Sequence, residues 1–193
     1  MLWLSEEDVN FEIMFVDNDE PEDANDSSIV VEMTYGELKY LFMGDATSKV
    51  EKALLNNDRL EKIDVLKVGH HGSNTSSSKE FLNVILPTYA IISVNNLEYI
   101  KHPSQEAIER LNSINSKIYR TDENGTIWIT SDGSTIEINE TDINVNGENR
   151  EARLIENVDI LYFFILIYFH FHQQLCKHHL LIVNNFYKKL LLE

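Results

Sequence analysis

Residues 68–81 read VGHHGSNTSSSKEF, and the fold depends on what stands on either side of them. The run before them, Asp64–Val68, is short and apolar and predicts a buried strand. The run after them, Ser77-Ser78-Lys79-Glu80, has the spacing of a capping box and predicts a helix that ends before Pro87. Tyr89–Val94 then predicts a second buried strand. Between strand and helix, His70 and His71 lie between Gly69 and Gly72, where the backbone can approach another group closely, and Ser73 adds a donor. From the residues alone this is either a metal-ligating loop or a polar turn that contains imidazoles.

The same unit occurs on both sides. Ser28–Thr34 and Leu38–Met43 are rich in β-formers and flank Tyr35-Gly36-Glu37, which predicts a hairpin whose second strand runs into Gly44-Asp45. Ser48-Lys49-Val50-Glu51 is another capping-box pattern, opening a helix with Val50, Ala53 and Leu54 on one face. Downstream, Pro103 suits a first helical position, which makes His102 the expected cap of a helix carrying Ala107, Ile108, Leu111 and Ile114 at helical spacing. Asn10–Val16 reads as a strand, and Asp17–Asp26 as an acidic loop that stays in solvent. That loop lacks the glycine and terminal glutamate of an EF-hand. The chain ends its patterned part in β structure at 117–120, 126–130 and 134–139, with Asn124-Gly125 and Asp132-Gly133 as turns. Alternating strands and helices predict an α/β fold, or α+β counting the flanking hairpins.

In such a layer, ligands gather beyond the C-terminal ends of the strands. Three loops are expected there: Gly44-Asp45, Gly69–Ser73, and 93–102. Asp45 is the carboxylate of the first, His70, His71 and Ser73 belong to the second, and His102 closes the third. At a helix start the dipole would keep the His102 imidazole neutral, able to ligate a metal or accept a proton.

Charge divides the chain. Residues 1–150 hold 28 acidic and 12 basic side chains, whereas 151–193 hold 4 of each. An acidic body argues against non-specific nucleic-acid binding through a basic surface. The single cysteine, Cys176, excludes an internal disulfide and suits a reducing compartment, and the N-terminus lacks a signal-peptide pattern. The expectation is a cytoplasmic body over 1–150 and a separate glycine- and proline-free tail over 151–193. The uninterrupted apolar run Ile160–Phe169 is about half the ~20 residues a spanning helix needs. Docking on the body, a peripheral membrane contact, and an appended segment all stay open for that tail. His170, His172, His178 and His179 have no carboxylate in metal-motif order and read as incidental.

Taken together, Asn25–Val30, Leu41-Phe42-Met43-Gly44-Asp45-Ala46, Asp64–Ser73, and Ser93-Val94-Asn95 followed by His102-Pro103-Ser104 resemble the second half of a metallo-β-lactamase-fold hydrolase. The likeness is in particular to the C-terminal hydrolase domain of ComEC-type competence proteins, which carry DNA across the bacterial membrane. Tyr119–Asp122 and Asn124–Ile127 are similar to the way those domains close. The resemblance covers about residues 10–140 and is most specific at the His-His-Gly-Ser loop.

It implies half of an αβ/βα sandwich with a metal site at its edge, holding zinc or manganese, two ions in a completed site. It matches Asp45 to the aspartate that bridges the metals, and His70, His71 and His102 to metal ligands or proton carriers. The implied reaction is attack of activated water on an ester or phosphodiester, DNA among the substrates. The family's His-x-His-x-Asp-His motif is not in these 193 residues, and no histidine precedes His70. The expectation is therefore a partial hydrolase completed by a chain carrying the other half. The alternatives are a non-catalytic interaction module and a membrane-associated accessory protein.

Overall fold

Strand alternation sets the architecture. In the computed structural model, which describes residues 4–6, 9–16, 23–57, 59–95 and 101–140, a seven-stranded sheet runs in chain order. Its strands are β1 (Leu4–Glu6), β2 (Val9–Phe15), β3 (Val30–Tyr35), β4 (Leu38–Phe42), β5 (Val65–Lys67), β6 (Tyr89–Ile92) and β7 (Lys117–Arg120). Pairing is antiparallel from β1 to β4 and parallel from β4 to β7. Helices α1 (Ser48–Leu55), α2 (Lys79–Ile85) and α3 (Gln105–Ser113) form the parallel crossovers. Three successive right-handed crossovers in one direction must put their helices on the same face of the sheet.

The core confirms that placement. Leu41, Leu66, Ala90 and Ile92 alternate onto the face that meets Val50 and Leu54 of α1, Phe81, Leu82 and Ile85 of α2, and Leu111 of α3. Burying each such Leu or Ile contributes on the order of 1.5–3 kcal/mol relative to exposure. A bulge between Ile13 and Phe15 turns Met14 into this core from the antiparallel side. The result is the α/β layer expected from the pattern, consistent with the half-sandwich that the resemblance implies.

The opposite face carries Met33, Tyr40, Val65, Ile91 and Tyr119, all buried. A second sheet, β8 (Ile127–Ser131) with β9 (Ile136–Glu140), reaches it through a short helix α4 (Thr121–Asn124). The Glu37 N–H donates to the Gly133 carbonyl (2.7 Å), and Ser131 hydrogen-bonds the Tyr40 hydroxyl. Farther along the same face Phe11, Ile13, Val31 and Phe42 are only half-buried.

Three helix starts differ from expectation. Thr47, not Ser48, caps α1, because Glu51 is occupied elsewhere and cannot reach back to a Ser48 cap. Ser78, not Ser77, caps α2. Ser104 caps α3, so His102 is not the cap, Pro103 lies before the helix, and the His102–Pro103 peptide is cis. The acidic loop also departs from expectation: its described end forms a helical turn, Ala24–Ser27, and Asp26 is buried. Asp26 accepts from the Thr47 hydroxyl (2.5 Å) and pairs with Lys49 (3.3 Å), which offsets its desolvation.

Among the described residues no helix is long and apolar enough to cross a membrane. The boundary at 150/151, the apolar tail and its histidines lie outside the described residues.

Candidate metal centre

Asp45, His70, His71 and Ser73 sit just past strand ends, whereas His102 lies at the far end of the connection from β6, shortly before α3. Asp45 follows β4, and its N–H donates to the Ser28 hydroxyl (3.0 Å), tying the first loop to the entrance of β3. The buried Asp26–Thr47 bond fixes the other side of that loop. Gly69–Gly72 forms a single tight turn in which His70 (φ 47°) and His71 (φ 53°) are both left-handed. Left-handed backbone costs a non-glycine residue roughly 1–2 kcal/mol, so two in a row persist only where the surroundings impose them. The His70 N–H donates to the Gly44 carbonyl (3.0 Å) and the Ser104 N–H to the Gly72 carbonyl (2.8 Å), so the three loops are hydrogen-bonded to one another. A Cβ on Gly72 would stand 2.7 Å from that of Pro103, and only glycine lets those two loops touch.

The turn sends its two histidines to different partners. His71 Nδ1 lies 2.6 Å from the Ser93 carbonyl, which can only accept, so Nδ1 carries the proton. Its Nε2 is then directed at Asp45 Oδ1, 3.4 Å away. A ring lone pair facing a carboxylate is repulsive unless a proton or a metal cation lies between them. His70 stands beside His102, ring centroids 5.5 Å apart, and its Nδ1 is 3.4 Å from the Thr75 hydroxyl. His102 Nδ1 is buried with no hydrogen-bond partner among the described residues. Burial first, and then the neighbouring His70 and His71, hold the His102 pKa below its ordinary value. The neutrality expected of this ring therefore has a different cause from the helix dipole.

Ser73 behaves otherwise. It is buried, and its hydroxyl bonds stay within residues 73–75, to Asn74, Thr75 Oγ1 and the Thr75 N–H. Lys67 was not singled out from the sequence, yet a lysine inside the apolar run DVLKV is itself a signal. Its side chain shares a face with Phe42 and Ile91, and its ammonium donates to the Val68 carbonyl (3.0 Å). Burial of that ammonium pushes its pKa down to about 8, against the opposing pull of Asp45.

The donor set suits a divalent metal: an oriented imidazole nitrogen aimed at a carboxylate, and a buried imidazole nitrogen with no hydrogen-bond partner among the described residues. It is divided, however, into an Asp45–His71 pair and a His70–His102 pair. Among the described residues no three His, Cys, Asp or Glu side chains are gathered to hold an ion.

Residues 5–94 match the Metallo-beta-lactamase superfamily. Over this stretch, just under half of its length, the chain is similar to that superfamily, and its mixed α/β fold is consistent with it. Its matched part includes Asp45 and the His70-His71 turn, and His102 lies just beyond it. The chain is 36% identical over 120 residues to ComE operon protein 3 of Bacillus subtilis, covering 62% of this chain and 16% of that protein. It is 35% identical over 120 residues to Competence protein ComA of Neisseria gonorrhoeae, covering 62% and 17%. Recombination protein 2 of Haemophilus influenzae is 34% identical over 130 residues, covering 67% and 16%. The chain thus spans about a sixth of the length of these relatives.

Proposed function

We propose that this chain, similar to the metallo-beta-lactamase superfamily, provides one wall of a metal-dependent hydrolase centre acting on a phosphodiester or similar ester. The observation that carries the reading is the Asp45–His71 pair. The Ser93 carbonyl holds Nδ1 as the protonated nitrogen and thereby directs Nε2 at a carboxylate oxygen. A cation resolves that confrontation.

In this reading Asp45, His70, His71 and His102 contribute to holding zinc or manganese, two ions in the completed site. Bound metal supplies Lewis acidity, lowering the pKa of water and steadying charge on the ester oxygens. Asp45 brings the anion that offsets the metal charge. His102, whose pKa is lowered by desolvation and by the neighbouring His70 and His71, can ligate or take up a proton. Lys67 keeps a cation close to Asp45. The remaining ligands would come from a His-x-His-x-Asp-His stretch, in a longer chain or on a complementing one. Similarity to competence and recombination proteins supports DNA as the phosphodiester. The acidic body would then depend on metal, not surface lysines, to approach phosphate.

The test is Zn2+ and Mn2+ uptake by the purified chain, together with bis(p-nitrophenyl) phosphate hydrolysis once a His-x-His-x-Asp-His half is supplied. Asp45→Ala should weaken uptake and abolish hydrolysis, and undiminished hydrolysis by the variant would overturn the reading. One observation favours a second reading, a non-catalytic interaction module: the described ligands form pairs and no triad. Tight stoichiometric metal in the isolated chain would eliminate it.

A further inference from the structure

The left-handed His70-His71 turn is bound to its neighbours by backbone contacts, but residues 74–78 immediately after it lie between α1 and α3 and leave several polar groups to be satisfied. Two charged side chains satisfy them. Glu51, on α1, is fully buried and accepts the backbone N–H groups of Ser77 (2.5 Å) and Ser78 (2.8 Å). Arg110, on α3, donates to the carbonyls of Ser77 (2.7 Å), Ser76 (2.8 Å) and Asn74 (3.2 Å). Apolar residues could fill the same space but would leave those backbone groups buried without partners.

Ser76 connects this clamp to the histidines. Its carbonyl is held by Arg110, while the single proton of its hydroxyl is shared between the carbonyls of Gly69 (2.8 Å) and Ser73 (3.1 Å), at the start of the histidine turn and just past its end. Ser77 is itself left-handed (φ 57°), a conformation that aims its N–H at Glu51 and its carbonyl at Arg110. The Ser48 N–H, at the start of α1, adds a bond to the Thr75 carbonyl (2.7 Å). A displacement of 74–78 therefore passes through Ser76 to both ends of the His70-His71 turn.

We propose that Glu51 and Arg110 are positioning residues for the metal loop: by gripping the 74–78 backbone from two helices they set the left-handed turn and so the directions of the His70 and His71 rings. Neither touches metal or substrate. The inference depends on the proposed metal reading only where affinity is measured.

The experiment uses the 193-residue chain with Glu51→Gln, which turns one acceptor into a donor facing a backbone N–H, and Arg110→Lys, which keeps the charge and loses the planar fork. The control is Ile63→Ala, a core truncation away from the loop, compared at the same distance below each protein's Tm. Nitrogen-edited NMR of the imidazoles in metal-free protein should show His70 and His71 shifted in both clamp variants and unmoved in the control. Zn2+ affinity should fall about tenfold in the clamp variants, as for other groups that orient metal ligands. Imidazole resonances unchanged in Arg110→Lys, or moved equally by Ile63→Ala, would overturn the proposal. A wild-type chain that takes up no Zn2+ would count against the metal reading, while the resonances would still decide the clamp.

Discussion

Three histidines meet at this edge of the sheet, and their environments separate them. His71 has its tautomer set by the Ser93 carbonyl and faces Asp45, whereas His102 has a buried Nδ1 without a partner among the described residues and two imidazoles for neighbours. Burial and those neighbours lower the His102 pKa below 6.5. Between its folded value and 6.5 the unfolded chain binds a proton that the folded chain refuses. The stability this ring contributes is therefore present above 6.5 and lost as pH falls through the folded value. Proton NMR should give a His102 midpoint below 6.5, and the urea midpoint should drop less from pH 7 to pH 5 in His102→Asn than in wild type. A His102 midpoint at or above 6.5 would contradict this account. Asp45, His70 and His71 were legible in the sequence because each stands in a short polar loop after an apolar run, and His102 because it directly precedes a proline at an expected helix start. Their division into two pairs was not, because it depends on the Ser93 carbonyl just past β6 and on two consecutive left-handed residues.

At the scale of elements, the strands and helices expected from hydrophobic spacing appear, β1 and α4 are additions that the spacing did not indicate, and all three expected helix caps lie one or two residues from the expected position. The reason is competition among hydroxyls. In Ala46-Thr47-Ser48 and Ser76-Ser77-Ser78 several side chains could cap, and tertiary contacts choose between them: Asp26 draws Thr47 into place, and Glu51 takes the Ser77 N–H. Thr47 consequently serves both α1 and the Asp45 loop, accepting from the Lys49 N–H (3.2 Å) and donating to buried Asp26. Thr47→Val keeps the shape and removes both bonds, and should cost about 2–3 kcal/mol in urea unfolding. Thr47→Ser keeps both and should fall within about 0.5 kcal/mol of wild type. Equal losses in the two variants would show that shape, not hydrogen bonding, holds the loop.

Across the whole molecule, the β8–β9 hairpin touches the main sheet at a place where two glycines meet. A Cβ on Gly36, whose φ is +58°, would lie 2.4 Å from the Gly133 carbonyl oxygen, beside the Glu37 bond that joins the sheets. Gly36→Ala should loosen the hairpin selectively, speeding hydrogen exchange over 127–140 about tenfold or more, the effect of ~1–3 kcal/mol of local strain, while β4–β6 stay protected. Uniform acceleration, or none, would show that the hairpin is not docked through this contact. The sequence by itself determined the order of strands and helices and the loops that carry Asp45, His70, His71 and His102, because hydrophobic period and turn chemistry are local properties. Only the tertiary structure decided that Asp45 faces His71, that His70 stands beside His102, and that Lys67, Glu51 and Arg110 surround or brace the site. Those facts depend on contacts between residues far apart in the chain, where burial and unsatisfied backbone groups, not spacing, select the partner.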